Sequence, residues 1–246
     1  MDSINSIFVE NSSWLQIQHA VNNSLACVIP IGAACKEHGP HLPLNTDFVQ
    51  ASWLSNQISL RFPLIVWPVI NFGYYPAFID YPGSWSISEN TFMQCILDII
   101  ESVAKHGNNQ LILLNTGIST IQPLEAAICQ SPYQHRTTLI NVYSGEQVKL
   151  IVNEIEQQSQ GGHADEIETS IMLAIDKNLV DMPLAHPGLE NIKKGPLNLN
   201  DPTKANYCPT GSMGNPTLAT IAKGEKIIEA ILEDINIIIE GIINVE

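Results

Sequence analysis

At 246 residues, 45% of them hydrophobic, the chain is long enough to bury a substantial core, and α/β folds of this size commonly form one domain. A formal net charge of −14 with only 11 Lys and Arg residues argues against nucleic-acid binding, which needs clustered cations against phosphates. No apolar stretch approaches the roughly 20 residues of a bilayer span, and the opening MDSINSIFVENSSW lacks the pattern of a secretory signal, so no membrane partner and a cytoplasmic location are expected.

The run Leu25 to Ile31 is continuously apolar and bounded by Asn-Asn-Ser and Gly32, the pattern of a strand buried on both faces. Leu64 to Ile70, Gln110 to Asn115 and Thr138 to Tyr143 repeat it, which predicts a mostly parallel sheet. Helical patterns alternate with these strands over Asp47 to Arg61, Ser88 to His106 and Ile121 to Gln130, followed by Glu166 to Asp176 and a long last helix over Ala219 to Ile239. Ser88 with Thr91 offers N-cap chemistry, and Gly107 offers a stop. Asn71 to Trp85 and Leu184 to Pro216, dense in Gly, Pro and Asn or Tyr, are expected to be loops at the sheet's edge. Five cysteines without CxxC spacing indicate free thiols rather than a disulfide framework or a zinc knuckle. In an open parallel sheet ligands bind outside the carboxyl ends of the strands, so the chemistry is expected there.

The densest polar cluster follows the first of these strands and includes Glu37, His38, His41 and Asp47 on a turn shaped by Gly39, Pro40 and Pro43. Imidazole and carboxylate groups are the usual ligands of zinc, manganese or iron(II) in hydrolases, and a divalent ion there would bring a water towards neutral pKa. A second cluster, Gly161-Gly162-His163-Ala164-Asp165-Glu166-Ile167-Glu168, runs from a glycine loop into a helix, where His163 is a candidate acid or base. Acidic residues in a first helical turn also complement the helix dipole, which is the ordinary role for Glu166.

The string Pro30-Ile-Gly32 with Glu37-His38-Gly39-Pro40-His41-Leu42-Pro43 and Asp47, the later Gly162-His163-Ala164 with Glu168-Thr169-Ser170, and Gly214-Asn215-Pro216 with Lys223-Gly224 resemble the creatininase (creatinine amidohydrolase) family. Phe72-Gly73-Tyr74 and Tyr81-Pro82-Gly83-Ser84 are similar to its substrate-side loop. The resemblance implies an α/β three-layer sandwich with a mostly parallel sheet flanked by helices, in one domain over 1–246, often assembled as a hexamer. It implies hydrolysis of C–N bonds in small, frequently cyclic amides at a two-metal centre of zinc or manganese. His38 and Asp47 match a metal-binding His and the bridging Asp nine residues after it. His163 looks like the family's catalytic histidine, Glu168 like the carboxylate five residues after it, and Tyr74, Tyr81, Ser84 and Trp85 would line the substrate pocket.

Two departures from that pattern bear on the metal. The family has Glu-x-His, whereas here Lys36 stands two residues before His38 and Glu37 is adjacent to it. Either a bulge re-aims Glu37 as a ligand, or the Lys36 ammonium lies where a metal charge would lie. After the strand ending at Asn115, Gly117 and Ser119 stand where the family's His and Glu ligands are expected. Glu37, His38 and Asp47 are therefore the expected metal ligands, holding one or two ions, with His163 and Glu168 as the expected catalytic pair. The alternative is a metal-depleted family member that binds a small molecule or serves in an assembly. A lyase or isomerase activity on the same scaffold is a third reading.

Overall fold

The computed structural model describes residues 6–24, 26–193 and 195–243. Among them five strands form one parallel sheet in the order β1-β3-β2-β4-β5, with β1 at Ile7–Phe8, β2 at Ala26–Ile31, β3 at Leu64–Val66, β4 at Gln110–Asn115 and β5 at Thr137–Asn141. Leu25, with which the sequence opens β2, lies outside the described residues. β3 is shorter than the apolar run that predicts it. Pro68 lacks the N–H that a central ladder needs, and pairing resumes beyond it as a single bridge between Ile31 and Ile70.

Seven helices accompany the sheet among the described residues: α1 Trp14–Asn23, α2 Thr46–Arg61, α3 Glu89–Ala104, α4 Ile121–Gln130, α5 Glu146–Ile155, α6 Glu166–Asp176 and α7 Ile221–Ile243. Successive side chains of a strand point to opposite faces, and here both faces are apolar. On one, Ala26, Val28, Leu64, Ile112 and Leu114 pack with Leu54 and Ile58 of α2, Ile171 of α6 and the isoleucine stripe of α7. On the other, Cys27, Ile29, Ile65, Leu111 and Leu113 pack with Phe92, Ile96 and Ile100 of α3 and Leu124 and Ala127 of α4. The result is the helix–sheet–helix layering that the sequence predicts.

From β2 the chain crosses to β3 on one side and then returns to β4 on the other, so the strand order reverses between β2 and β4. A crevice opens at such a switch point, outside the carboxyl ends of the strands. None of the helices among the described residues is long and apolar enough to cross a membrane.

Candidate active site at the carboxyl ends of the strands

β2 delivers the chain into the turn that carries Lys36, Glu37, His38 and His41, all of them buried. Backbone bonds from Lys36 N to the Leu44 carbonyl (3.0 Å) and from Phe48 N to the Ala33 carbonyl (3.1 Å) pin this turn to the start of α2. Asp47, in the first turn of α2, is thereby brought against it, fully buried. From the far end of the chain, His163 is held by an antiparallel bridge to Met213, and Glu168 rises from the first turn of α6.

Two histidines and two carboxylates converge. His38 Nδ1 lies 2.8 Å from the Lys36 carbonyl, which can only accept, so Nδ1 carries the proton. In the neutral ring Nε2 then presents a bare lone pair to Asp47 Oδ1 at 3.0 Å and Glu168 Oε1 at 3.6 Å. His163 repeats the arrangement with its nitrogens exchanged: Nε2 is 3.1 Å from Glu37 Oε2, and Nδ1 faces Glu168 Oε2 at 3.8 Å. Lone pairs pointed at carboxylate oxygens repel unless a proton or a metal ion lies between them, and the 3.0 Å contact of His38 with Asp47 has room for a proton. Ligand atoms of His38, His163 and Glu168 all lie within 4.8 Å of one another, and imidazole with carboxylate is the donor set of zinc and manganese. The outer nitrogen of each ring is already engaged, by a carbonyl in one case and a carboxylate in the other, as is usual for metal-binding histidines. The residues fit one divalent ion.

Burial works to raise the Asp47 carboxyl, but the Lys36 ammonium and His38 outweigh it and hold the group well below the usual carboxylate range. Burial likewise opposes ionisation of Glu168, while His38, His163 and Lys36 pull it down on balance. His41 behaves differently. Its Nε2 is 2.8 Å from Thr169 Oγ1, its Nδ1 has no partner, and burial pushes it down to about 4, so it is a neutral packing group. Tyr143 is raised well above 10 by burial and by the nearby Glu168 and Asp47 carboxylates, and keeps its proton as a donor to Gln50.

The expected ligand Glu37 is not against His38 or Asp47. No bulge re-aims it: Lys36 takes the inward position, with Nζ 2.7 Å from Asp47 Oδ2, and the Glu37 carboxylate turns to His163 and to the Gly39 N–H. Its backbone N–H donates to Ser84 Oγ at 2.8 Å, and Gly211, at φ +70°, presses on its carboxylate where a Cβ would collide. The expected pocket residues are also placed elsewhere. Tyr74 packs on the sheet, Tyr81 donates to the Cys208 carbonyl at 2.6 Å, and Trp85 is 56% exposed. None of Tyr74, Tyr81, Ser84 and Trp85 lines the cavity beside the site, which measures about 420 Å³. That loop contributes Ala77 and Phe78 instead, because its short helical turn over Pro76–Phe78 swings the Phe78 ring onto His163, with centroids 4.2 Å apart. Ile118, Tyr143, Val152 and Met213 complete an apolar wall above Lys36, His163 and Glu168.

Sequence reasoning passed over Asp165, Tyr143 and Phe78. Asp165 had a legible signal as an N-cap before a helical run, and its carboxylate accepts from Ile167 N and Glu168 N at 2.9 and 3.0 Å. Tyr143 and Phe78 had none, since only the tertiary fold brings them to the cavity.

Residues 10–239 match the family model Creatininase, described as creatinine amidohydrolase. The chain is 22% identical to the creatinine amidohydrolase of Pseudomonas putida over 94% of its own length and 95% of that protein's. It is 25% identical to the 3-dehydro-scyllo-inosose hydrolase of Thermotoga maritima, over 95% of its length and 82% of the relative's. Its fold superposes on a solved structure described as "Creatininase Mn" with a TM-score of 0.82 at 22% identity, over 96% of this chain and 98% of that one. With the model spanning most of its length, the chain belongs to the creatininase family, whose curated relatives here are hydrolases.

Proposed function

We propose that the protein is a metal-dependent amidohydrolase that cleaves a C–N bond in a small amide, formamide or cyclic amide. The carrying observation is the convergence of His38 Nε2, His163 Nδ1 and Glu168, with Asp47 beside them, against a cavity that His163 and Glu168 line. Of the residues that converge, His38, Asp47 and Glu168 would hold the ion, and His163, whose Nδ1 stands 3.8 Å from Glu168, would be left for proton transfer. When bound, a divalent ion of this kind acidifies a water and polarises a carbonyl oxygen. The creatinine amidohydrolase likeness and the manganese creatininase support zinc or manganese chemistry on a small nitrogen-containing substrate.

His163 supplies the proton handling. With its Nε2–H on Glu37, its Nδ1 is free to take a proton from the attacking water, and Glu37 offsets the charge of the imidazolium that forms. The same nitrogen then returns that proton to the leaving amine. Phe78 packs on the ring and holds its plane, and the apolar wall of the cavity lowers the polarity around it. The cavity falls in the size range of small-molecule sites.

Elemental analysis of purified protein, joined to turnover of a panel of small amides before and after chelation, tests this. Zinc or manganese should be found, chelation should abolish hydrolysis, and re-addition should restore it. His38→Ala and Asp47→Ala should lose the ion, while His163→Ala should lower kcat by roughly 100-fold or more. Protein that contains no metal and takes up none would leave the reading of a binding protein without hydrolysis, for which the Lys36–Asp47 ion pair is the one favourable observation.

A further inference from the structure

Lys36 is used neither in the proton relay nor as an ion ligand, yet it is 6% exposed at the centre of the site. We propose that its ammonium takes the place of a second divalent ion on Asp47, so that the site holds one ion per chain. The proposal rests on the ion-dependent reading above and limits it.

The two oxygens of Asp47 face two different cation positions. Oδ1 points to His38, where the ion ligands converge, and Oδ2 lies 2.7 Å from Lys36 Nζ. Oδ2 has no hydrogen bond of good geometry, so the ammonium is what compensates it. A carboxylate that bridges two metal ions has this same two-sided demand. Here one side is met by a side chain built into the turn, its backbone N–H tied to Leu44 and its charge 5.2 Å from the Phe78 ring centre and 5.7 Å from that of Tyr75.

The opposite wall offers a second ion no charged or imidazole ligand. After β4 the chain presents Thr116, Gly117, Ile118 and Ser119, with no carboxylate or imidazole among them. The Thr116 hydroxyl is spent on the Ile31 and Asp47 carbonyls, at 3.0 and 3.1 Å. Asn115 is spent on Gly117, Thr120 and Asn141. The charges agree. The formal charges of Glu37, Asp47 and Glu168 against Lys36 sum to −2, which one divalent ion cancels. A second ion would leave an uncompensated +2 in a buried site, where unpaired charge is costly.

Titration of the chelator-treated full chain with manganese, following free ion by its paramagnetic signal, gives the stoichiometry without reference to activity. One equivalent bound per chain is the expected result. Two equivalents would overturn the proposal and leave the amidohydrolase reading standing, whereas none would remove both. Lys36→Glu should raise the count from one to two, and a folded Lys36→Glu protein that still binds one also counts against the ammonium as a stand-in. Lys36→Gln serves if that variant does not fold. Without its compensating charge Asp47 should lean on added ion, so saturating manganese should raise the thermal midpoint several degrees more in Lys36→Gln than in the parent. An equal rise in both would overturn the proposal.

Discussion

At the scale of single residues the site is an arrangement of protons. Glu37, adjacent to His38 in sequence, serves a different ring across 126 residues of chain. A Glu37→Gln side chain can still accept from His163 Nε2 but no longer balances an imidazolium. Its kcat should fall by roughly 100-fold or more, by analogy with triads whose orienting carboxylate is neutralised, while ion content stays unchanged. Loss of the ion in that variant, measured by elemental analysis, would return Glu37 to the ligands. His41 predicts a pH effect of definite sign. Its ordinary value is 6.5 and burial lowers it to about 4 in the fold. The unfolded chain therefore binds the proton more readily, and the stability His41 contributes is complete above pH 6.5 and is lost as pH falls towards 4. Urea unfolding should show a loss of about 2 kcal/mol between pH 7 and pH 5 from this group. Asp47 and Glu168 are lowered from 3.8 and 4.5, so their contribution fades only below that window. His41→Gln should flatten the slope between pH 7 and 5, and an unaltered slope would assign it to another group.

At the scale of elements, the parts of the fold legible in the sequence are those whose local pattern and tertiary environment agree. β2 and β4 are buried on both faces and are apolar throughout their centres, so the expectation and the structure coincide. The expected α3 and α6 are also found, the first with Ser88 accepting from Thr91 N. β1 escaped notice because two residues carry no period, and it becomes a strand only by pairing with β3. α1 lacks a buried apolar stripe because it buries none of its residues, and its local signal is the reciprocal capping box of Ser13 and Gln16. α5 carries a legible signal, an amphipathic run after Gly145, but stands outside the helices expected from the sequence, between the last strand and the second histidine cluster. In the site, His38, Asp47, His163 and Glu168 were legible as a set. Which way Lys36 and Glu37 face was not, because adjacent residues in a turn are ordered by tertiary contacts from Ser84 and Gly211. These element ends also carry consequences of their own. Asp165 caps α6 and so fixes Glu168; Asp165→Ala should cost about 1–2 kcal/mol in denaturant unfolding and weaken ion binding as well. A change in stability with no change in ion affinity would confine Asp165 to capping.

At the scale of the whole molecule, the site and the core are separate investments in one fold. The two apolar layers lie along the body of the sheet and owe nothing to the charged groups at its carboxyl edge. The site instead ties together segments distant in sequence: the turn after β2, the first turns of α2 and α6, and the loop reaching Met213. Removal of the ion should therefore leave the sheet and its helices intact while loosening those tethers. Far-ultraviolet circular dichroism of chelated protein should match that of the loaded form. Its thermal midpoint should fall in a way that follows free ion concentration, because an ion that binds only the folded chain contributes about 2.7 kcal/mol at 100 times its dissociation constant. For a chain of this length that is a shift of roughly 5–10 °C. His38→Ala should have the lower midpoint with and without ion. A midpoint that responds to added zinc or manganese equally in His38→Ala and the parent would place the stabilising ion elsewhere on this acidic molecule, away from the carboxyl ends of the strands.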